Sequence, residues 1–268
     1  MAIHNENRGN SLILALETSG RMGSVALAQG EQLLGESTFS GPMRHSAEVF
    51  PSIISLLSRF GKKPNQIEQV FISAGPGSFT GLRIAVTIAK TMALANGAKI
   101  VAVDTLDCIA ANVIDFASLQ SSPQLNTQNS TLNTNELLAV ILDAKRGQFF
   151  VAVYEKTQDA RRKTQDTIWQ KILPDCLMTA DEFINRFTDK PVAVIGEGLV
   201  YYKDKFIRRG GFTNKNIRVL DEKFWNPSAA NVYLLGRQLA LQGRFADPLT
   251  LTPNYLRGPG CSPREIIP

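Results

Sequence analysis

Two carboxylates, one histidine and one glycine-rich turn are the residues of this chain that could do chemistry. Glu17 and Asp143 each close an apolar run, Leu12–Leu16 and Leu137–Leu142, and each is followed by a polar turn. A pair of carboxylates at such turns can hold hydrated Mg²⁺ and orient a nucleophile in a phosphotransferase. Each can equally well accept backbone N–H groups within its own turn. The longest motif is Gly75-Pro76-Gly77-Ser78-Phe79-Thr80-Gly81-Leu82-Arg83. An apolar run (Val70–Ala74) leads into it and a helical pattern leads out. It therefore predicts a tight strand-to-helix turn in which missing Cβ atoms permit positive φ or close approach. Ser78 and Thr80 stand where N-caps stand. Such a turn can hold an anion or a partner's backbone, or can serve only as a tight connection.

Histidine narrows the options. The chain has two, His4 and His45. Four residues beyond His45 is Val49, so no pair of imidazoles shares a helix face, as a histidine metal centre would require. No Ser-His-Asp relay can be assembled either, because nothing ties His45 to a particular serine or carboxylate. The three cysteines (Cys108, Cys176 and Cys261) are odd in number and far apart, which argues against a disulfide framework or a zinc knuckle and points to a reducing, cytoplasmic setting. No metal site is expected. Of 268 residues, 44% are hydrophobic and 20% charged, with a formal net charge of +5; this is ordinary globular composition with a mild basic excess that permits an acidic partner such as RNA. The basic groups Arg161-Arg162-Lys163 and Lys203, Lys205, Arg208, Arg209 read as solvated faces. No run is long enough to span a bilayer, and the polar stretch Met1–Asn10 reads as a frayed tail rather than a secretory signal.

The elements that must position these residues fall into a repeated plan. Ser11–Glu17, Ser24–Ala28 and Gln32–Phe39 predict an antiparallel meander. A helix follows over His45–Phe60, with Phe50, Ile53, Ile54 and Leu57 as its apolar stripe; Pro51 kinks its first turn or marks its regular start. Then come a strand (Gln69–Ala74), the glycine turn, a helix (Gly81–Asn96), a strand (Lys99–Val103) and a helix capped by Asp104-Thr105 that ends near Ala117. The second half repeats this in outline: Leu137–Asp143, a return strand Gln148–Glu155, a helix Ala180–Phe187 with Thr179 as N-cap, and a strand Pro191–Ile195 ending in Gly196-Glu197-Gly198. A final helix has Pro227 at N1 and stops near Gly243. The predicted organisation is a lobe over 1–117, a flexible polar insertion over 118–136, and a lobe over 137–268 whose last helix is free to pack back on the first lobe. Two meander-plus-helix lobes with facing glycine turns describe an α/β fold of two ribonuclease-H-like lobes, the actin/sugar-kinase/heat-shock-protein (ASKHA) type. In that architecture Glu17, Thr18, Ser19, Gly75, Gly77, Asp143, Gly196 and Gly198 line a cleft and are the weak candidates for binding ATP or ADP.

These letters, in this order, resemble the bacterial TsaB (YeaZ) family, small paralogues of the TsaD transferases. The resemblance rests on Glu17-Thr18-Ser19 with Ser24-Val25-Ala26-Leu27; on His45-Ser46-Ala47-Glu48 with Pro51; and above all on Gly75–Arg83 with Ala89-Lys90. Further matches are Asp104-Thr105-Leu106, Asp143-Ala144-Lys145-Arg146, Gly196-Glu197-Gly198 and Tyr255-Leu256-Arg257. Departures are Glu17 where the family usually has aspartate, the extra Lys145, and the insertion.

The resemblance implies a subunit of the cytoplasmic complex that makes threonylcarbamoyladenosine beside the tRNA anticodon. In that pathway a TsaD-like, metal-carrying partner transfers the group from threonylcarbamoyl-adenylate, and a TsaE-like ATPase completes the assembly. The chain itself is then no catalyst and requires no cofactor. It also implies pairing through the two helices beside the glycine turn, with the partner or with a second copy. Carried onto this chain, the interface candidates are His45, Glu48, Phe50, Ile54, Arg83, Val86, Ala89, Lys90 and Ala93. Small residues at Ala85, Ala89 and Ala93 permit close helix approach. The competing expectation is an ATP-dependent phosphotransferase built on Glu17 and Asp143; a metallopeptidase is opposed by the single useful histidine.

Overall fold

The structure, a computed structural model, describes residues 10–114, 132, 135–158, 167–209, 212–213 and 215–256. His4, the cluster at 161–163, Arg257, Cys261 and almost all of the insertion lie outside the described residues. The chain divides into two compact units, one of Met1–Cys108 with Asn226–Pro253 and one of Ile109–Trp225 with Asn254–Pro268. Among the described residues no helix is long and apolar enough to cross a membrane.

The first unit is a mixed sheet of five strands in the order β3-β2-β1-β4-β5: β1 (Leu12–Glu17), β2 (Ser24–Gln29), β3 (Gln32–Thr38), β4 (Ile67–Ser73) and β5 (Lys99–Val103). β1 pairs antiparallel with β2 and parallel with β4. This central place explains its unbroken apolar run. Neighbours satisfy both edges and helices cover both faces, so all six of its residues are buried. Alternation sends Leu12, Leu14, Leu16, Val70 and Ile72 to the face covered by α1 (His45–Arg59) and α2 (Phe79–Asn96), where they meet Ile53, Leu57, Ala85 and Ala89. Phe71 points the other way, against α6 (Ala229–Leu241). A Cβ on Gly236 would come within 2.6 Å of its ring, so a glycine is needed there.

α1 begins at His45, as the sequence reading has it, and of the two places offered for Pro51 the structure has it inside the helix, on an exposed face. Two details differ from the sequence reading. α6 is capped by Ser228, whose hydroxyl accepts from the Asn231 N–H, and Pro227 precedes the cap instead of occupying N1. α3 (Thr105–Ala110) stops well short of Ala117; the Asp104 carboxylate receives the Leu106 and Asp107 N–H groups and starts it.

The second unit has the same strand order, β12-β9-β6-β7-β8. β6 (Leu137–Asp143) is central, with β7 (Gln148–Gln158) and β8 (Thr167–Thr179) antiparallel on one side and β9 (Val192–Ile195) and β12 (Ile217–Val219) parallel on the other. A small hairpin, β10 (Arg208–Arg209) with β11 (Phe212–Thr213), stands apart. β8 and β12 had no counterpart in the sequence reading. α4 (Ala180–Arg186) starts in a capping box: Thr179 Oγ1 accepts from the Glu182 N–H, and Glu182 returns an acceptor to the Thr179 N–H at 2.7 Å. α4 and α5 (Leu199–Ile207) close over an aromatic cluster in which Phe149 packs on Phe183, Tyr202 and Phe206 with ring centroids 5.2–6.0 Å apart. Two units with one strand order, a meander followed by parallel strands, constitute the two-lobe ASKHA-type α/β fold.

Candidate functional site

In the first unit the β1 terminus and the glycine turn interlock through the backbone. The Thr18 hydroxyl donates to the Gly81 carbonyl at 2.7 Å, and the Ser78 N–H donates to the Ser19 carbonyl at 2.7 Å. A Cβ on Gly77 would lie 2.6 Å from the Ser19 oxygen, and one on Gly81 only 1.7 Å from the Thr18 oxygen. Close approach of two chain segments therefore requires these glycines, without any ligand. Ser78 is the N-cap of α2, its hydroxyl accepting from the Gly81 N–H; Thr80 lies inside the helix.

Glu17 is 0% exposed. One carboxyl oxygen, Oε1, accepts from the Ser19 N–H (2.6 Å) and the Ser19 hydroxyl (2.5 Å). The other, Oε2, has no partner. Burial pushes this carboxyl above its ordinary range, opposed by the Ser19 and Ser73 hydroxyls and the backbone at Ser19 and Gly20. His45 is also buried. Its Nε2 faces the Gly20 carbonyl at 2.9 Å and must carry the proton it donates, while the ring tilts against Phe39 and Nδ1 is left without a partner. Burial lowers the imidazole's pKa, with the Gly20 carbonyl opposing. Among the described residues no three His, Cys, Asp or Glu side chains gather as a metal site would need.

The second unit repeats the interlock with a different carboxylate environment. A Cβ on Gly196 (φ +112°) would come within 2.1 Å of the Ile141 carbonyl, and the Gly198 N–H donates to that oxygen at 3.2 Å. Asp143 stays half-buried. Its Oδ2 pairs with Lys145 Nζ at 2.6 Å, and its Oδ1 accepts from the Lys145 N–H and, at 3.4 Å, from the Tyr202 hydroxyl.

Residues 40–172 match the family described as TsaD, tRNA N6-adenosine threonylcarbamoyltransferase. The TsaB protein of Bacillus subtilis, described as a tRNA threonylcarbamoyladenosine biosynthesis protein, is 26% identical over 91% of this chain and 93% of its own length. That of Haemophilus influenzae is 24% identical over 92% and 94%. YeaZ from Pseudomonas aeruginosa shares the fold, with a TM-score of 0.67 and 21% identity over 91% of this chain and 99% of that one. In sequence the chain is thus similar to the TsaB proteins over nearly its whole length, and in fold to YeaZ.

The motif residues of the first unit lie at the interlocked turn, and most of the residues expected to line a nucleotide cleft are enclosed within their own units. Glu17, Thr18, Ser19, Gly75, Gly196 and Gly198 are buried, and only Gly77 and Asp143 are half-buried. The cause is the central position of β1 and β6, whose ends are covered by the strands and turns on both sides. The interface candidates separate in a similar way. Phe50, Ile54 and Arg83 are exposed; Glu48, Lys90 and Ala93 are half-buried; His45, Val86 and Ala89 are buried within their own unit. The expected stripe of α1 is corrected too. Val49, Ile53, Leu56 and Leu57 face the sheet, leaving Phe50 and Ile54 outside at 57% and 56% exposure. Glu48 is engaged locally, accepting from the Ser40 N–H and hydroxyl and pairing with Arg44.

Sequence reasoning missed Met43, Phe79 and Leu94, all exposed apolar residues on or beside these helices. Arg83 lies over the Phe79 ring at 3.8 Å. The available signal was spacing. Ala47, Phe50 and Ile54 recur at i, i+3 and i+7, off the core stripe, which marks a second apolar face.

Proposed function

We propose that this chain is a non-catalytic subunit of the machinery that forms threonylcarbamoyladenosine on tRNA, acting by docking a TsaD-like transferase through the outer face of α1 and α2. The names of the relatives supply the process. The observation that carries the docking role is the exposed apolar set Met43, Phe50, Ile54, Phe79 and Leu94, bordered by Arg83 and Lys90. Water-exposed aromatic and aliphatic side chains on and beside a helix pair that also carries cations have the composition of an interface centre. A non-catalytic role is supported by the residue inventory: of two histidines, the one in the described residues is committed to a backbone carbonyl, and the carboxylate on β1 is enclosed.

The test is co-purification with the TsaD-like paralogue. Phe50→Asp with Ile54→Asp is expected to weaken binding by at least about 30-fold, the loss of one interface hot spot, while circular dichroism and melting temperature stay at wild-type values. Undiminished binding by the folded double variant would remove this face from the account. A charge at Ala89 is a poor probe, because that residue is 0% exposed and its replacement attacks the core.

A further inference from the structure

We propose that the β6–β7 turn of the second unit, together with Tyr201 on α5, is a direct contact for RNA, taking the phosphate backbone on Lys145 and Arg146 and an unpaired base on the Tyr201 ring. The backbone comes first. Lys145 and Arg146 have φ of +63° and +55°, and Gly147 follows at +77°. The Ala144 N–H donates to the Gln148 carbonyl at 3.0 Å and the Gln148 N–H to the Lys145 carbonyl at 3.1 Å, which closes the turn. Hairpin turns with successive left-handed residues favour asparagine and glycine, because in that conformation a Cβ crowds the following carbonyl. This chain puts two long cations there instead. Arg146 is exposed and makes no hydrogen bond or ion pair with a described residue. No contact among the described residues therefore accounts for a strained arginine at this place.

α5 is fastened beside this turn. The Tyr202 hydroxyl donates to the Gln148 carbonyl at 2.9 Å, and the Tyr202 ring meets Phe149 edge-on with centroids 5.2 Å apart. The next residue back, Tyr201, is 50% exposed and lies under Lys145, whose Nζ is 5.1 Å from the ring centroid. Lys205, also exposed, follows Tyr201 by one helical turn on the same face of α5. Asp143 holds Lys145 in place through their ion pair. Lys145, Arg146, Lys203 and Lys205 outnumber Asp143 and Asp204, so the patch keeps a net positive charge.

Cations alone would suit any acidic surface, and the ring separates the choices. A half-exposed aromatic face beside cations stacks on an unpaired base, which an acidic polypeptide does not have. A few phosphates neutralised by this many cations make a weak, salt-sensitive contact that adds to the hold of a larger assembly on its RNA. The choice of tRNA as the RNA rests on the process proposed above. The contact itself uses none of the α1 and α2 residues, so it can be kept or lost separately from docking.

The test is fluorescence anisotropy of a labelled, unmodified tRNA titrated with the free full chain. The wild type is expected to bind at low salt and to weaken as salt rises. Arg146→Glu is expected to weaken binding about tenfold, and Arg146→Gln to lower the slope of log affinity against log salt by about one. Tyr201→Ala is expected to cost about fivefold. Arg146→Gly separates function from structure: relief of the left-handed strain raises the urea midpoint while affinity for tRNA falls, a pairing that a merely structural arginine would not give. Phe50→Asp with Ile54→Asp is expected to keep the wild-type tRNA affinity, so failure of docking and failure of this contact read differently. Three results would each overturn the proposal: no tRNA binding by the folded wild type at low salt, wild-type affinity in Arg146→Glu, or loss of binding to the TsaE-like ATPase in Arg146→Glu with tRNA binding unchanged.

Discussion

The acidic shoulders of the two units occupy the same topological place and live in opposite surroundings. Each ends the central strand of a five-stranded sheet of identical order, and each is followed by an interlocked glycine turn. Yet Glu17 is enclosed and its carboxyl is held by Ser19, while Asp143 is half-buried and paired to Lys145, whose side chain is 75% exposed. A repeat of strand order therefore does not carry a repeat of chemistry. What separates the two sites is the turn that follows. Ser19 folds back over Glu17 in the first unit. In the second, Lys145 and Arg146 take positive φ and point a cation at Asp143.

The glycine turns are where the units agree, so substitution there should hurt both. Gly81→Ala and Gly196→Ala each drive a Cβ into a backbone carbonyl that cannot rotate away. Each is expected to destabilise its unit by about 3 kcal/mol or more in urea unfolding, from overpacking in one case and from overpacking with left-handed strain in the other. A neutral result at either glycine would break the equivalence of the two interlocks.

The carboxylates are where the units differ, and alanine substitution sharpens that difference. Glu17→Ala leaves the Ser19 N–H and hydroxyl without an acceptor and opens a cavity. It should cost about 2–4 kcal/mol. Asp143→Ala removes an ion pair with a largely exposed lysine and should cost at most about 1 kcal/mol. Equal losses in matched urea titrations would show that the enclosed and half-open shoulders are energetically alike.

The smallest effect concerns His45. Its folded-state pKa is lowered, so the unfolded chain takes up a proton first as pH falls below 6.5, and stability drops in that window. Glu17 acts in the opposite direction, on the alkaline side of 4.5. His45→Gln should flatten the acid limb of the stability profile and leave the alkaline limb unchanged; a flattened alkaline limb would mean the two groups are coupled.

Much of this fold was legible in the sequence because central strands must be apolar on both faces. Leu12–Leu16 and Leu137–Leu142 announced themselves, and Gly75–Arg83 marked the sharpest turn. Thr179 was legible as a cap because its Glu182 partner is three residues on. β8 was not, since Gln170, Lys171 and Asp175 interrupt its apolar residues without a regular alternation and Pro174 stands inside it; the pairing with β7 also carries register shifts. The burial of Glu17 was illegible for a different reason. Glu-Thr-Ser-Gly reads as a solvated turn, and only the strands on both sides of β1 and the turn crossing over it enclose the carboxyl. Phe50 and Ile54 were read into the core stripe because Ile53 and Leu57 lie between and beyond them; one step of the helix put them on the outside.

The central claim, that the chain works by docking and not by catalysis, meets its most direct test in reconstitution. Purified TsaD-like transferase, TsaE-like ATPase, threonylcarbamoyl-adenylate and tRNA are combined with the wild-type chain, with the Phe50→Asp, Ile54→Asp variant, or with neither, and modified adenosine is measured. The account predicts product with the wild-type chain alone among the three mixtures. Full product with the variant, or product from this chain and tRNA without the transferase, would contradict it.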